Sequence, residues 1–218
     1  MNWDALGPKL LEATAQTLGL VSLSFVLGGL GGLLLGTALY VTREGGIFPS
    51  RLAHTALNVL VNLVRPIPFL IFLAAVQPLS RVVVGTGIGD AAMVFAISLA
   101  ATFGISRIVE QNLLTVSPGV LEASRAAGAS RMRTLWSVVL PEALGPHILG
   151  YTFVTVALVD MSAVAGYVGG GGLGAFAIQW GYRQFDPLVT WSAVLIIIAL
   201  VQLVQLLGNR LARRVMRR

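Results

Sequence analysis

Cysteine is absent from this 218-residue chain, lysine occurs once, as Lys9, and histidine twice, as His54 and His147. The lack of cysteine excludes a disulfide framework, thiol nucleophiles and thiolate metal sites. The lack of lysine excludes a Walker A phosphate loop, which needs Lys followed by Ser or Thr; Lys9 is followed by Leu10. The two histidines lie far apart, and no His-Glu-x-x-His motif or Ser/His/Asp grouping accompanies them. Charge is scarce as well. Only 11% of residues are Asp, Glu, Lys or Arg, against about 25% in ordinary soluble domains. These absences leave no equipment for catalysis or for holding a metal, and the chain reads as a non-enzyme with no cofactor of its own.

The sequence is instead 56% hydrophobic, above the ~45–50% of soluble proteins. Its solvent is therefore mostly lipid. The net charge of +6 comes from arginines that flank apolar runs, which is a topology signal of membrane proteins. No aromatic-basic platform suited to nucleic acid accompanies them.

A crossing needs about 20 apolar residues, and five stretches qualify: residues 17–41, 57–76, 91–108, 143–163 and 188–207. The first is longer than a signal-peptide core and lacks a basic leader, so it reads as a retained span. It carries Gly28, Gly32 and Gly36, a spacing that puts small residues on one face for close helix packing. The second contains Arg65-Pro66-Ile67-Pro68. Each proline removes a backbone donor, so the helix must bend or break, and the freed backbone must be buried or line a wet cavity. Arg65 has two readings: it snorkels to the interface, or it marks a pathway. Residues 77–90 read as a returning loop. Arg107 and Glu110 close the third span, spaced to pair on one helix face.

The loop between the third and fourth spans spends scarce charge on Glu122, Arg125, Arg131 and Arg133. Ser117-Pro118 reads as a helix start, Gly128 as its C-terminal stop, and Ser130 as the cap of a second short helix that Pro141 ends. Ala123, Ala126, Ala127 and Ala129 give this pair a thin surface, suited to a socket on another protein or to plain solvation. The fourth span carries Asp160-Met161-Ser162. An acid within a span is a functional candidate; it pairs with Arg65, meets a substrate amine, or reaches outer water. Gly166 to Gly174 holds six glycines in nine residues and is too costly in entropy for a regular helix. Its Gly169, Gly171 and Gly174 fit G-x-G-x-x-G, but without a βαβ unit the match is spurious. Residues onward to Asp186 read as an outer loop with interfacial Trp180 and Tyr182.

Five spans put the termini on opposite sides. Arg43, Arg51, Arg107, Arg125, Arg131, Arg133 and the tail arginines 210, 213, 214, 217 and 218 share one side, against Lys9, Arg81 and Arg183 on the other. The positive-inside rule makes the first side cytoplasmic. The expected architecture is one all-α transmembrane domain over residues 1–218. Its N-terminus is outside, its C-terminus is inside, and a cytoplasmic loop spans about 117–141.

The stretch Glu122-Ala123-Ser124-Arg125-Ala126-Ala127-Gly128, with Leu140-Pro141 downstream, resembles the EAA loop in permease subunits of bacterial type I ABC importers. Ser124 is a mild departure at the third position. Residues 62–69, 81–89 and 169–174, with Gly181-Tyr182 after them, are similar to methionine importer permeases, and the likeness extends over essentially the whole chain. The resemblance implies a homodimeric inner-membrane permease. Two ATPase subunits would bind ATP and Mg, and a periplasmic or lipid-anchored binding protein would deliver a small amino acid, methionine. It implies that Glu122, Ala123, Arg125, Ala126 and Gly128 form a coupling helix seated on the ATPase, and that Met161, Ser162 and Val164 narrow the pathway. Asp160 departs from the small uncharged residue that the family places there, which leaves a permease for another amino acid open. A channel or secondary transporter working alone is a third reading, but no internal repeat of the kind secondary transporters show is present.

Overall fold

The computed structural model describes residues 3–216, so two of the tail arginines, Arg217 and Arg218, lie outside the described residues. The described residues are helical throughout their ordered elements and contain no strand. The first helix, α1 (Trp3–Thr42), is 40 residues long and starts well before Thr17. Its first turns have a packing partner. Leu6, Leu10 and Ala13 join Leu173, Phe176, Val189 and Ala193 in a small apolar cluster.

The glycines of α1 lie against α4 (Gly89–Leu114). A Cβ at Gly28 would sit 2.6 Å from the Ala101 Cβ, one at Gly32 2.5 Å from the Ile105 Cβ, and one at Gly36 2.7 Å from the Val109 Cβ. The pairs advance together along both helices, so α1 and α4 run parallel. Without side chains on one partner the two backbones approach closely, and dispersion contacts replace the hydrophobic drive that lipid does not supply.

Parallel packing has a topological consequence. The chain must return to the starting end between Thr42 and Gly89. It does so on a broken helix, α2 (Arg51–Val64) and α3 (Phe69–Val84), which meet at 115°. The break falls at Arg65-Pro66-Ile67-Pro68, where the prolines require it. The stretch read from sequence as a loop from residue 77 is helical as far as Val84 and carries Arg81 in its last turn. Pro78 sits within that helix, and the turn comes only at Gly85, whose φ of 80° is left-handed and free of cost only for glycine.

After α4 come two short helices, α5 (Pro118–Ala126) and α6 (Arg131–Thr134). Pro141 does not end the second one, as the sequence suggested. A π-helical turn at Leu135–Val139 and α7 (Leu140–Glu142) carry the chain on to α8 (Leu144–Ala163). The wider turn absorbs the donor that Pro141 lacks, as π-bulges do. Helix α8 is antiparallel to α4: a Cβ on Gly150 would strike Ile108, whereas one on Gly170, past the far end of α8, would meet both Ala165 and Met93. A 3₁₀ turn (Val164–Tyr167), α9 (Leu173–Phe176), a π-turn (Ala177–Gly181) and a 3₁₀ turn (Tyr182–Gln184) replace the expected outer loop. Helix α10 (Pro187–Met216) then runs back along α8, with Gly208 against Thr152 and Gly145 against Met216. The ends of α1, α4 and α10 therefore share one end of the bundle with α5 and α6. The starts of α1 and α4 share the other end with the glycine-rich turn.

Replacing Gly36 with Val is expected to overpack this contact at a cost of about 1–3 kcal/mol. Gly19 has nothing within 4 Å of its added Cβ, so Gly19→Ala is expected to be neutral or stabilising by up to about 1 kcal/mol. Thermal unfolding of the two detergent-solubilised variants checks both signs.

Candidate functional site

Two groups of residues stand out: a polar face on the broken helix and an exposed knob that precedes α8. The first begins with the four-residue spacing of His54, Asn58 and Asn62 on α2, a spacing that stacks side chains on one helical face. Arg65 follows at the break. Histidine Nδ1 faces the Leu39 carbonyl at 3.2 Å and so donates to it, leaving Nε2 to accept from Asn58 Nδ2 at 3.3 Å. Asn62 Nδ2 donates to Asn58 Oδ1 at 3.4 Å. Arg107 of α4 closes the ladder. Its Nη2 donates to Asn62 Oδ1 at 2.6 Å and also to Asn58 Oδ1, while Nη1 pairs with Glu110 Oε2 at 2.6 Å.

The Arg107–Glu110 pair was legible from sequence. Its attachment to α2 was missed, although the His-x-x-x-Asn-x-x-x-Asn spacing was a signal for it. The attachment matters because Val61 is the one buried residue of α2. Hydrogen bonds therefore hold this helix where apolar packing does not. A buried charge is costly unless paired, and Arg107 meets three partners, Asn58, Asn62 and Glu110.

Arg65 lies level with the middle of α4. It lines a cleft of about 120 Å³ with Phe69, Phe72, Phe103 and Met161. The fold thus brings together two of the predicted pathway residues, Arg65 and Met161, in a hollow otherwise lined by apolar side chains and Gly104. It does not bring in the others. Ser162 is buried, and its hydroxyl donates to its own helix at the Val159 carbonyl, 2.7 Å away. Val164 is half-buried on the 3₁₀ turn, and Asp160 is exposed. Asp160 and Arg65 do not pair; the one salt bridge among the described residues is Arg107–Glu110.

The glycine-rich turn is pinned from two helices. Asp90 Oδ1 accepts from Gly171 N at 2.7 Å, Gln16 Oε1 from Gly172 N at 2.9 Å, and Thr17 Oγ1 from Leu173 N at 2.8 Å. These side chains satisfy the open donors at the start of α9. Glycine is required because a Cβ at Gly171 would strike Gln16, and Gly172 has φ 95°. Lys9 Nζ sits 3.6 Å above the Trp180 ring, so that indole is half-covered by α1 and is not free at an interface, whereas Tyr182 is 75% exposed.

The knob is α5 with its flanks. No residue of α5 is buried, and Glu122, Ala123, Arg125, Ala126 and Gly128 are all exposed. Gly128, at φ 76°, ends the helix as a left-handed C-terminal residue, with its N–H 2.9 Å from the Arg125 carbonyl. Ser117 makes no capping bond, but Ser130 Oγ accepts from Arg133 N at 3.3 Å. Ser124, the departure from the motif, bonds Thr134 across the two helices at 3.0 Å. Thr134, Leu135 and Val139 are buried, so the knob is rooted in the bundle by the segment that leads into α8.

Removing the Arg107 guanidinium by Arg107→Ala leaves Glu110 buried without its partner. A loss of at least about 1–3 kcal/mol is expected, with α2 protons exchanging faster than those of α4. Hydrogen exchange on the intact protein measures both.

Residues 28–217 match the family described as the inner membrane component of binding-protein-dependent transport systems. The chain is 38% identical to the probable D-methionine transport system permease protein of Vibrio cholerae, over 98% of this chain and 96% of that one. It is 32% identical to the methionine import system permease protein of Bacillus subtilis, over 78% and 77%. Among solved structures, an inward-facing methionine ABC transporter chain superposes with a TM-score of 0.92 at 38% identity, covering 95% of this chain and 96% of that one. An amino acid ABC transporter chain at 21% identity and TM-score 0.78 shares the fold. The coverage by family, relatives and fold leaves one conclusion: the chain belongs to the inner membrane components of binding-protein-dependent transport systems.

Proposed function

We propose that this chain is the permease subunit of an ATP-driven methionine importer, working as a homodimer with two ATPase subunits and fed by a substrate-binding protein. The observation that carries the reading is the exposed knob and its rigid route into the membrane. Glu122 and Arg125 offer charge, while Ala123, Ala126 and Gly128 offer close approach to a socket on the ATPase. From there α6, the π-turn, α7 and α8 form a nearly continuous helical path to Met161 at the far end. A push on α5 when the ATPases close is delivered along that path as a displacement of α8. The broken helix, held by the Arg107 clamp, forms the other wall at Met161. ATP and Mg are bound by the partner; this chain supplies the pathway and the lever.

The cleft supports a specific division of labour. Arg65 attracts a carboxylate in a hollow whose other walls are aliphatic, aromatic and thioether, apolar surfaces that suit a methionine side chain. Met161 narrows the passage, with Ser162 and Val164 shaping the turn behind it. Asp160 favours a second reading, a permease for a different amino acid. It is an exposed acid outside the cleft, unpaired with Arg65, and a carboxylate is a group that pairs with a substrate amine. Identifying the amino acid that co-purifies with the cognate binding protein decides between the two.

Two loop variants test the coupling. Glu122→Lys and Gly128→Trp are expected to reach the membrane at normal levels, and to weaken retention of the co-expressed ATPase at least about tenfold, the effect of ~1.4 kcal/mol. Methionine uptake should fall with it. Full uptake by both variants overturns the role of the knob. Asp160→Asn is expected to alter the uptake rate or its pH dependence. An unchanged profile assigns that carboxylate to outer water.

A further inference from the structure

A second concavity among the described residues lies away from the pathway cleft and shares no lining residue with it. It is a groove of about 920 Å³ between α1, α8 and α10, walled by Leu30, Leu33, Tyr151, Leu207 and Leu211, with Trp136 at one end. Its polar groups are turned into the protein. The Tyr151 hydroxyl donates to the Gly29 carbonyl at 2.7 Å, Thr152 to Ile148 at 2.7 Å, and Thr155 to Tyr151 at 2.9 Å. Histidine 147 donates from Nδ1 to the Ala143 carbonyl at 2.6 Å, which leaves Nε2 as the one wall atom without a partner. An occupant of the groove is therefore apolar along its length.

The mouth is different. Trp136 is 61% exposed there, and an indole favours the level of the headgroups. Arg133 precedes it by three residues and is exposed. On α10, Val204, Leu207, Gly208 and Leu211 line the groove, and one turn further on that face continues at Arg214. Met216 packs against Gly145, which holds the end of α10 beside the start of α8 and so beside this mouth. Both arginines are exposed, and the acid nearby is Glu142, next to Pro141. The groove thus ends in a net positive, solvent-facing mouth.

We infer that this groove is a binding site for an anionic phospholipid, with acyl chain between α1, α8 and α10 and phosphate between Arg133 and Arg214. The sequence puts this end of the bundle at the cytoplasmic leaflet, where anionic lipids attract juxtamembrane arginines. A second copy of the chain is the poorer occupant. Seated here about a two-fold axis along the membrane normal, it brings the same basic mouth against itself.

The test is native mass spectrometry of the permease co-purified with its ATPase, delipidated and then titrated with phosphatidylglycerol or phosphatidylcholine. Phosphatidylglycerol is expected to be retained in preference. Arg214→Gln is expected to weaken it about fivefold, the worth of one arginine near an anionic surface, and Thr155→Trp to reduce binding by filling the groove. Arg214 is an exposed surface residue, so its variant tests the site even where the tryptophan variant fails to fold. Equal retention of the two lipids, or no effect of Arg214→Gln, overturns the proposal. The cysteine-free chain allows a further check. Leu207→Cys supplies the single thiol, and a disulfide between two copies through it assigns the groove to a dimer contact and also overturns the lipid site. None of these outcomes bears on methionine transport, which stands or falls on the knob and cleft.

Discussion

Three glycines on one face of α1 set the geometry of this bundle. Lipid offers no penalty for leaving apolar side chains apart, so helices associate where their surfaces fit most closely. Gly28, Gly32 and Gly36 let α1 lie against Ser98, Ile105 and Val109 at backbone range. The parallel sense of that contact obliges the intervening chain to cross back. It also fixes which ends share a side, and it puts the start of α1 within reach of the glycine-rich turn. The return of the chain on the broken helix follows from this contact, while Pro66 and Pro68 set where that helix breaks.

The remaining polar groups are arranged around the need to satisfy backbone and charge away from water. Helix α2 buries Val61 alone, so its position depends on the ladder from His54 to Arg107. Such a tie is directional, and it can be broken and remade at a lower cost than a packed apolar face. Helix α8 is held differently, by packing against α4 and α10. An element tied by hydrogen bonds thus faces one that is packed, with Arg65 and Met161 lining the cleft between them.

The glycine-rich turn shows the same economy at the other end. Asp90, Gln16 and Thr17 come from two helices and give their oxygens to three successive N–H groups. A helix start that would otherwise need water is closed by side chains, so the turn can sit tightly over the end of the bundle. The glycines there serve close approach, not phosphate binding.

Much was legible along the chain because membrane spans are written locally. Apolar length, arginine placement, the prolines at residues 66 and 68 and the Glu122–Gly128 motif each report on their own neighbourhood, and the helices, the break and the exposed knob were read correctly from them. The misreadings came where a distant contact decided the local structure. Residues 3–16 extend α1 because Leu173 and Val189 cover them. Residues beyond Gly166 are helical because α1 caps them, and Pro141 is passed by a π-turn because the segment is anchored by Leu135 and Val139. The meeting of Arg65 with Met161, and of Arg107 with Asn58 and Asn62, joins positions dozens of residues apart. The sequence by itself determined which segments enter the membrane, since transfer into lipid depends on each segment's own composition. Only the tertiary structure decided which polar groups face each other inside it, since that depends on how the crossings pack.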